Sequence, residues 1–255
     1  MNVKEVRDLI SKVEGFKSVE VIERERNYGL ANSIIDGVSK LSSKYGKVIV
    51  FEDDLISSPY TLKYFNEALE LYENRSEIMH IGAYMYPLKE HKLPEAFFLR
   101  MTSSWGWATW KRAWTVFESD IDTLMRQFSS EDRNAFEMEG AMNYWQHMKD
   151  FKAGKNSSWA IRWYASVFLN KGLALYPAHS LIDNIGHDGT GVHSGLNDIF
   201  KVPVSQQPIL KFPDTIRENA EAFALVKDFL RNRKGNLWQR GLRYVKQLST
   251  KLIRS

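Results

Sequence analysis

Apolar residues recur at helical spacing at Val3, Val6, Ile10 and Val13, and again at Leu30, Ile34, Ile35, Val38 and Leu41. The spacing predicts two amphipathic helices. Between them, residues 19–22 (Val-Glu-Val-Ile) read as a short strand. Gly46 ends the second helix, and the unbroken apolar run Val48, Ile49, Val50, Phe51 has the character of a strand covered on both faces. Ser58-Pro59 supplies a helix start, with Ser as cap and Pro in the first turn. Leu62, Phe65, Leu69 and Tyr72 then mark one buried face. A further strand is predicted over residues 78–84. Helix and strand alternate to this point, so the expected fold class is α/β, a mixed, mostly parallel sheet flanked by helices.

Beyond residue 95 the regular order gives way to aromatics, and seven of the eight Trp lie between Trp105 and Trp163. A last amphipathic helix is expected from about residue 237 to 253, with Trp238, Leu242, Val245, Leu248 and Leu252 on one stripe. The expected organisation is therefore one domain over residues 1–210, with halves of about 1–95 and 96–210, and a basic helical tail over 211–255.

With 255 residues, 44% hydrophobic and 26% charged, the chain can fill a core; collagenous and disordered classes are excluded. It has no Cys, which excludes a disulfide scaffold, a cysteine nucleophile and a thiolate metal site. Residues 1–14 carry both charge signs and no apolar segment, so no secretory signal is expected and a cytoplasmic protein is. The net charge of +4 divides unevenly: residues 231–255 hold eight basic residues and no acidic one, leaving 27 basic against 31 acidic over residues 1–230. A net −4 body is not built to bind nucleic acid. The Trp-bearing basic tail suits the anionic inner face of a cell membrane, or else packs on the domain with its charges in water.

Glu52, Asp53 and Asp54 follow directly on the 48–51 strand. In open α/β sheets ligands lie beyond the carboxyl ends of strands. Three acids there repel one another unless a cation or hydrogen-bond donors neutralise them. Mg²⁺ or Mn²⁺ held by a carboxylate and substrate phosphates would do so; a solvated acidic loop capping the next helix is the alternative.

The order Arg26-Asn27-Tyr28-Gly29, then the strand with Glu52-Asp53-Asp54-Leu55 and Ser58-Pro59, then Tyr64-Phe65, resembles the nucleotide-binding half of GT-A glycosyltransferases. It is similar to family 2-like bacterial sugar transferases and to the N-acetylglucosaminyltransferase I family. The resemblance spans about residues 15–200. It implies a Rossmann-like sheet in which Asp54 binds Mn²⁺ or Mg²⁺, Asp53 touches ribose, Glu52 faces the donor sugar, and Arg26 and Asn27 lie near the nucleotide. Enzymes of this fold open with a base-binding strand ahead of the first helix, so the sheet here is expected to lack that strand.

Trp105-Gly106-Trp107 and Trp159-Ala160-Ile161-Arg162-Trp163 resemble the family's next blocks. Trp105, Trp107 and Trp159 are the candidate substrate-binding residues, since indoles offer flat faces to a sugar or base. Where the N-acetylglucosaminyltransferase pattern has its catalytic Asp, this chain has Ala160, which accepts no proton. Asp188, Asp120 and Asp122 are candidate substitutes, with no spacing argument to choose among them. Residues 183–195 hold four Gly, His187 and His193; the resemblance implies a loop closing over the donor, with His193 as second metal ligand.

The function the resemblance implies is metal-dependent, inverting transfer of a hexosyl or N-acetylhexosaminyl group from a UDP-linked sugar to a glycan or lipid-linked acceptor in polysaccharide biosynthesis. A non-catalytic nucleotide- or carbohydrate-binding remnant is the alternative, favoured by Ala160. A metal-dependent phosphoester hydrolase is a third, which the Trp-rich half does not support.

Overall fold

The computed structural model describes residues 3–89, 92–186 and 198–233. Among these the helices are α1 (Val3–Ile10), α2 (Leu30–Tyr45), α3 (Thr61–Leu71), α4 (Lys111–Trp114), α5 (Ile121–Gln127), α6 (Ser130–Phe136), α7 (Tyr144–Lys152), α8 (Trp159–Leu169) and α9 (Ala220–Asn232). The strands are β1 (Lys47–Val50), β2 (Leu55–Ser57), β3 (Ile78–Gly82), β4 (Ala96–Leu99), β5 (Trp107–Trp110), β6 (Leu173–Pro177) and β7 (Ile182–Asn184).

The main sheet runs in the order β1-β5-β3-β6-β4, and β2 pairs with β7 in a separate two-stranded ribbon. β5 is antiparallel to both β1 and β3, β6 is parallel to β3, and β4 is antiparallel to β6. Three strands (β1, β3 and β6) therefore share one direction. The sheet is mixed, because β5 inserts between β1 and β3 and only β3 and β6 are parallel neighbours.

The alternation of side chains along β5 divides the core. Trp107 faces α2, α4 and α8 and packs with Val38, Trp159 and Trp163. Trp110 faces α3, where its Nε1 donates to the Leu69 carbonyl at 3.0 Å among Phe65, Leu69 and Phe98. The third cluster gathers α5–α9 against β4 and β6. In it α9 buries Ala222, Phe223, Val226 and Leu230. A boundary at residue 211 thus cuts through the packing, and residues 220–232 belong to the body.

α2 stops as the sequence predicts: Gly46 has φ 80° and its N–H donates to the Ser42 carbonyl at 2.8 Å, a conformation that favours glycine. α3 begins at Thr61, two residues later than Ser58-Pro59 predicts. Ser58 is buried, its N–H is held by the Leu181 carbonyl at 2.8 Å, and its hydroxyl accepts from Tyr60 N–H at 3.2 Å. It forms a turn before the helix.

The predicted strand at residues 19–22 is not one. Val19, Val21 and Ile22 are exposed, and β1, at the sheet's edge, pairs only with β5. An extended segment with no ladder partner leaves its amides to water. α1 likewise buries no residue. The predicted helix at 237–253 and the glycine-rich loop with Asp188, His187 and His193 lie outside the described residues. No helix among the described residues is long and apolar enough to cross a membrane.

Candidate functional site

β1 and β3 end on the same edge of the sheet, where β5 begins, and the candidate residues gather there. Glu52, Asp53 and Asp54 link β1 to β2. The β2–β7 ribbon fixes Asp54: Leu55 pairs with Asn184, and the Asp54 carbonyl accepts from Ile185 N–H at 2.9 Å. The chain then turns tightly, with Gly186 N–H donating to Asn184 Oδ1 at 2.8 Å. A β-carbon on Gly186 would meet the Asp54 carboxylate, so glycine lets the chain approach this side chain closely.

One oxygen of that carboxylate, Oδ1, is buried without a hydrogen-bond partner among the described residues. A buried acceptor left unsatisfied costs free energy, more so on a carboxylate. Beside it, burial pushes the Glu52 carboxyl up to about 7, and the charges of Asp54 and Asp53 add to the shift. Asp53 is exposed. Among the described residues no three His, Cys, Asp or Glu side chains converge to hold a metal ion. Of the two expected metal ligands only Asp54 lies among the described residues; with diphosphate and water oxygens a carboxylate is the kind of group that holds Mg²⁺ in phosphate sites.

The second half of the site is an aromatic cavity of about 280 Å³. Its walls include Tyr84 and Tyr86 from the exit of β3, Trp105 ahead of β5, Tyr144 and His147 from α7, and Trp159 opening α8. Trp105 meets Tyr84 edge-on at 4.5 Å between ring centroids. The next residue, Gly106, has φ 58°, and a β-carbon there would run into the Ile182 side chain and come within 3.7 Å of the Phe51 ring. Its carbonyl accepts from Ala83 N–H at 3.0 Å. Gly106, next to Trp105 in the chain, therefore lies close to Phe51, the residue before Glu52.

The three tryptophans of interest divide. Trp105 and Trp159 line the cavity. Trp107 is fully buried, layered between His80 at 5.4 Å and Trp159 at 5.2 Å, and serves the core. Arg26 and Asn27 line an open groove along α2 with Tyr28, Asp36 and Ser39, which shares no lining residue with the aromatic cavity. Asn27 Oδ1 accepts from Gly29 N–H at 2.7 Å, a turn that leads into α2.

Ala160 lines the cavity. Asp120 and Asp122 do not. Asp120 caps α5, accepting from Asp122 N–H at 3.0 Å and Thr123 Oγ1 at 2.6 Å, and Asp122 pairs with Lys152 at 2.5 Å. Both carboxylates are taken up by local structure. Sequence reasoning missed Tyr84, Tyr86, Tyr144 and His147. For the last two a signal existed: three residues apart on one helix, they share a face.

No protein-family model matches the chain, and no curated protein is similar to it.

Proposed function

We propose that the protein is a metal-dependent glycosyltransferase that moves a hexosyl or N-acetylhexosaminyl group from a UDP-linked sugar to a glycan or lipid-linked acceptor, with inversion. The observation that carries this reading is the buried Asp54 Oδ1 beyond the carboxyl end of β1, which has no hydrogen-bond partner among the described residues. A carboxylate oxygen with no partner among the described residues suits a cation, which diphosphate oxygens, and His193 as the resemblance implies, would help to hold.

Bound Mn²⁺ or Mg²⁺ would supply electrostatic stabilisation of the departing diphosphate. Asp54 would anchor it. Glu52, which ionises near neutrality, would face the donor sugar, and Asp53, exposed, would reach the ribose. The acceptor would lie in the cavity against Trp105 and Trp159, whose faces suit the C–H face of a sugar ring. Water exclusion by these aromatics would favour transfer over hydrolysis. A placement at the inner membrane face, through the basic tail, belongs to the same proposal.

A second reading, a non-catalytic nucleotide- or carbohydrate-binding protein, is favoured by Ala160 and by the absence of any Asp or Glu from the described residues lining the cavity. A thermal-shift panel of nucleotide sugars with and without Mn²⁺, followed by a transfer assay, tests both. The enzyme reading predicts a melting shift that needs UDP-sugar and Mn²⁺ together, vanishes in Asp54→Ala, and accompanies turnover. Metal-dependent binding without turnover supports the second reading, and a panel with no shift sinks both.

A further inference from the structure

We propose that His147 is the group that takes the proton from the acceptor hydroxyl, and that the cavity it faces admits uncharged sugars. The inference rests on the glycosyltransferase reading above and deepens it. His147 and Ala160 line the same cavity, from α7 and α8 respectively. The position where the resembling families have a carboxylate therefore opens onto the space that His147 borders.

Among the described residues, no Asp, Glu, Lys or Arg lines that space. The other ionisable side chains in its walls are tyrosines, and burial pushes the hydroxyls of Tyr84, Tyr86, Tyr144 and Tyr164 upward, so they stay protonated. Among the described residues, His147 is the one lining group able to change charge between pH 5 and 8. Its imidazole makes no side-chain hydrogen bond among the described residues and is half-buried. Its backbone is held: Asn156 Nδ2 donates to the His147 carbonyl at 3.2 Å, and the adjacent Met148 is fully buried. A fixed main chain carrying an unclaimed imidazole is what a proton acceptor requires.

Burial holds the imidazole below its ordinary value of 6.5, opposed by the charge of Asp150 on the same helix. At pH 7 it is therefore neutral and has a lone pair to offer. In the step proposed, the acceptor oxygen bonds to the anomeric carbon as the bond from that carbon to the diphosphate oxygen breaks. The electron pair leaves with UDP and the hydroxyl proton passes to His147. The imidazolium then returns the proton to water. A charged acceptor would meet no counter-ion among the described lining residues and pay its desolvation unrepaid, so these walls select neutral sugars.

The test measures transfer from UDP-glucose, UDP-galactose and UDP-N-acetylglucosamine to the neutral methyl glycosides of the same sugars, with glucuronic acid as a charged comparison. Wild type and His147→Gln are compared at pH 5–8, with melting curves and Mn²⁺-dependent UDP binding as controls for folding and the donor site. The proposal predicts that His147→Gln keeps its melting temperature, UDP binding and donor KM while kcat falls at least about 100-fold, the usual worth of a general base. It also predicts that the acidic limb of the kcat–pH profile, rising below pH 6.5, disappears, and that glucuronic acid is not used. Unchanged kcat and an intact acidic limb in the variant would overturn the role of His147 and leave the glycosyltransferase reading standing. Transfer to glucuronic acid as fast as to the methyl glycosides would overturn the neutral specificity. No transfer by wild type from any donor would overturn both the reading and the inference built on it.

Discussion

The indole N–H of Trp163 donates to Nδ1 of His80 at 3.1 Å, which puts the His80 proton on Nε2, where no acceptor reaches it among the described residues. The ring is fully buried on the middle strand of the sheet, stacked on Trp107. Burial alone lowers its pKa from 6.5 to about 3. The unfolded chain then binds a proton that the folded chain refuses, so stability falls as pH drops from 6.5 towards 3. Equilibrium unfolding in urea across that range should show this slope, and His80→Phe should flatten it. At pH 7 the variant should be weaker by about 1–3 kcal/mol, because the Trp163 N–H loses its acceptor.

The acidic loop trades stability for readiness to bind. With no divalent ion present, Glu52 ionises only near pH 7 against burial and the charges of Asp54 and Asp53. Its folded value lies above the ordinary 4.5, so the loop loses stability as pH rises through the window from 4.5 to 7. Asp54→Asn removes the stronger of the two charges that repel an ionised Glu52, and with it the carboxylate whose Oδ1 has no partner among the described residues. It should raise the melting temperature at pH 8 in EDTA while abolishing any Mn²⁺ response. A lower melting temperature in EDTA would show that Asp54 supports the fold instead.

Trp105 and Trp107 are two residues apart and should behave oppositely. Trp107→Ala empties the layer between His80 and Trp159, a loss of about 3–5 kcal/mol for a large buried aromatic. Trp105→Ala removes a half-exposed wall of the cavity and should cost far less stability while weakening acceptor use. Chemical denaturation and acceptor KM separate the two.

Sequence pattern reached as far as local signals reach. From residue 30 to 84 the helix and strand periods are clean, because α2, α3, β1 and β3 each bury a face against elements the same pattern announces. Residues 19–22 carry an equally good strand pattern and fail, since pairing depends on a neighbour that no local signal supplies. The Glu52–Asp54 cluster was legible from its place after an apolar run. The division of labour among the tryptophans was not: Trp105 and Trp107 look alike in composition, and only the start of β5 turns one into wall and the other into core. That His147 and Ala160 border one cavity is a meeting of α7 with α8, and no spacing within the chain encodes it.

The segment before α2 contributes little to the core, since α1 buries nothing and the apolar residues at 16, 19, 21 and 22 are exposed. The exposed ion pair Arg7–Glu23 at 3.1 Å contributes about 0–1 kcal/mol. Removing residues 1–22 should therefore move the melting temperature by no more than about 2–4 °C. A larger fall in differential scanning calorimetry would assign the segment a structural role.

The central claim is that Asp54 holds a divalent cation together with a nucleotide diphosphate. Free Mn²⁺ gives a six-line electron paramagnetic resonance signal that diminishes on binding, so titrating Mn²⁺ into the protein with and without UDP measures the claim directly. The account predicts that wild-type protein with UDP removes one equivalent of free Mn²⁺ beyond what UDP alone removes, and that Asp54→Asn with UDP does not. Equal Mn²⁺ uptake by the two proteins, or none by either, would contradict it.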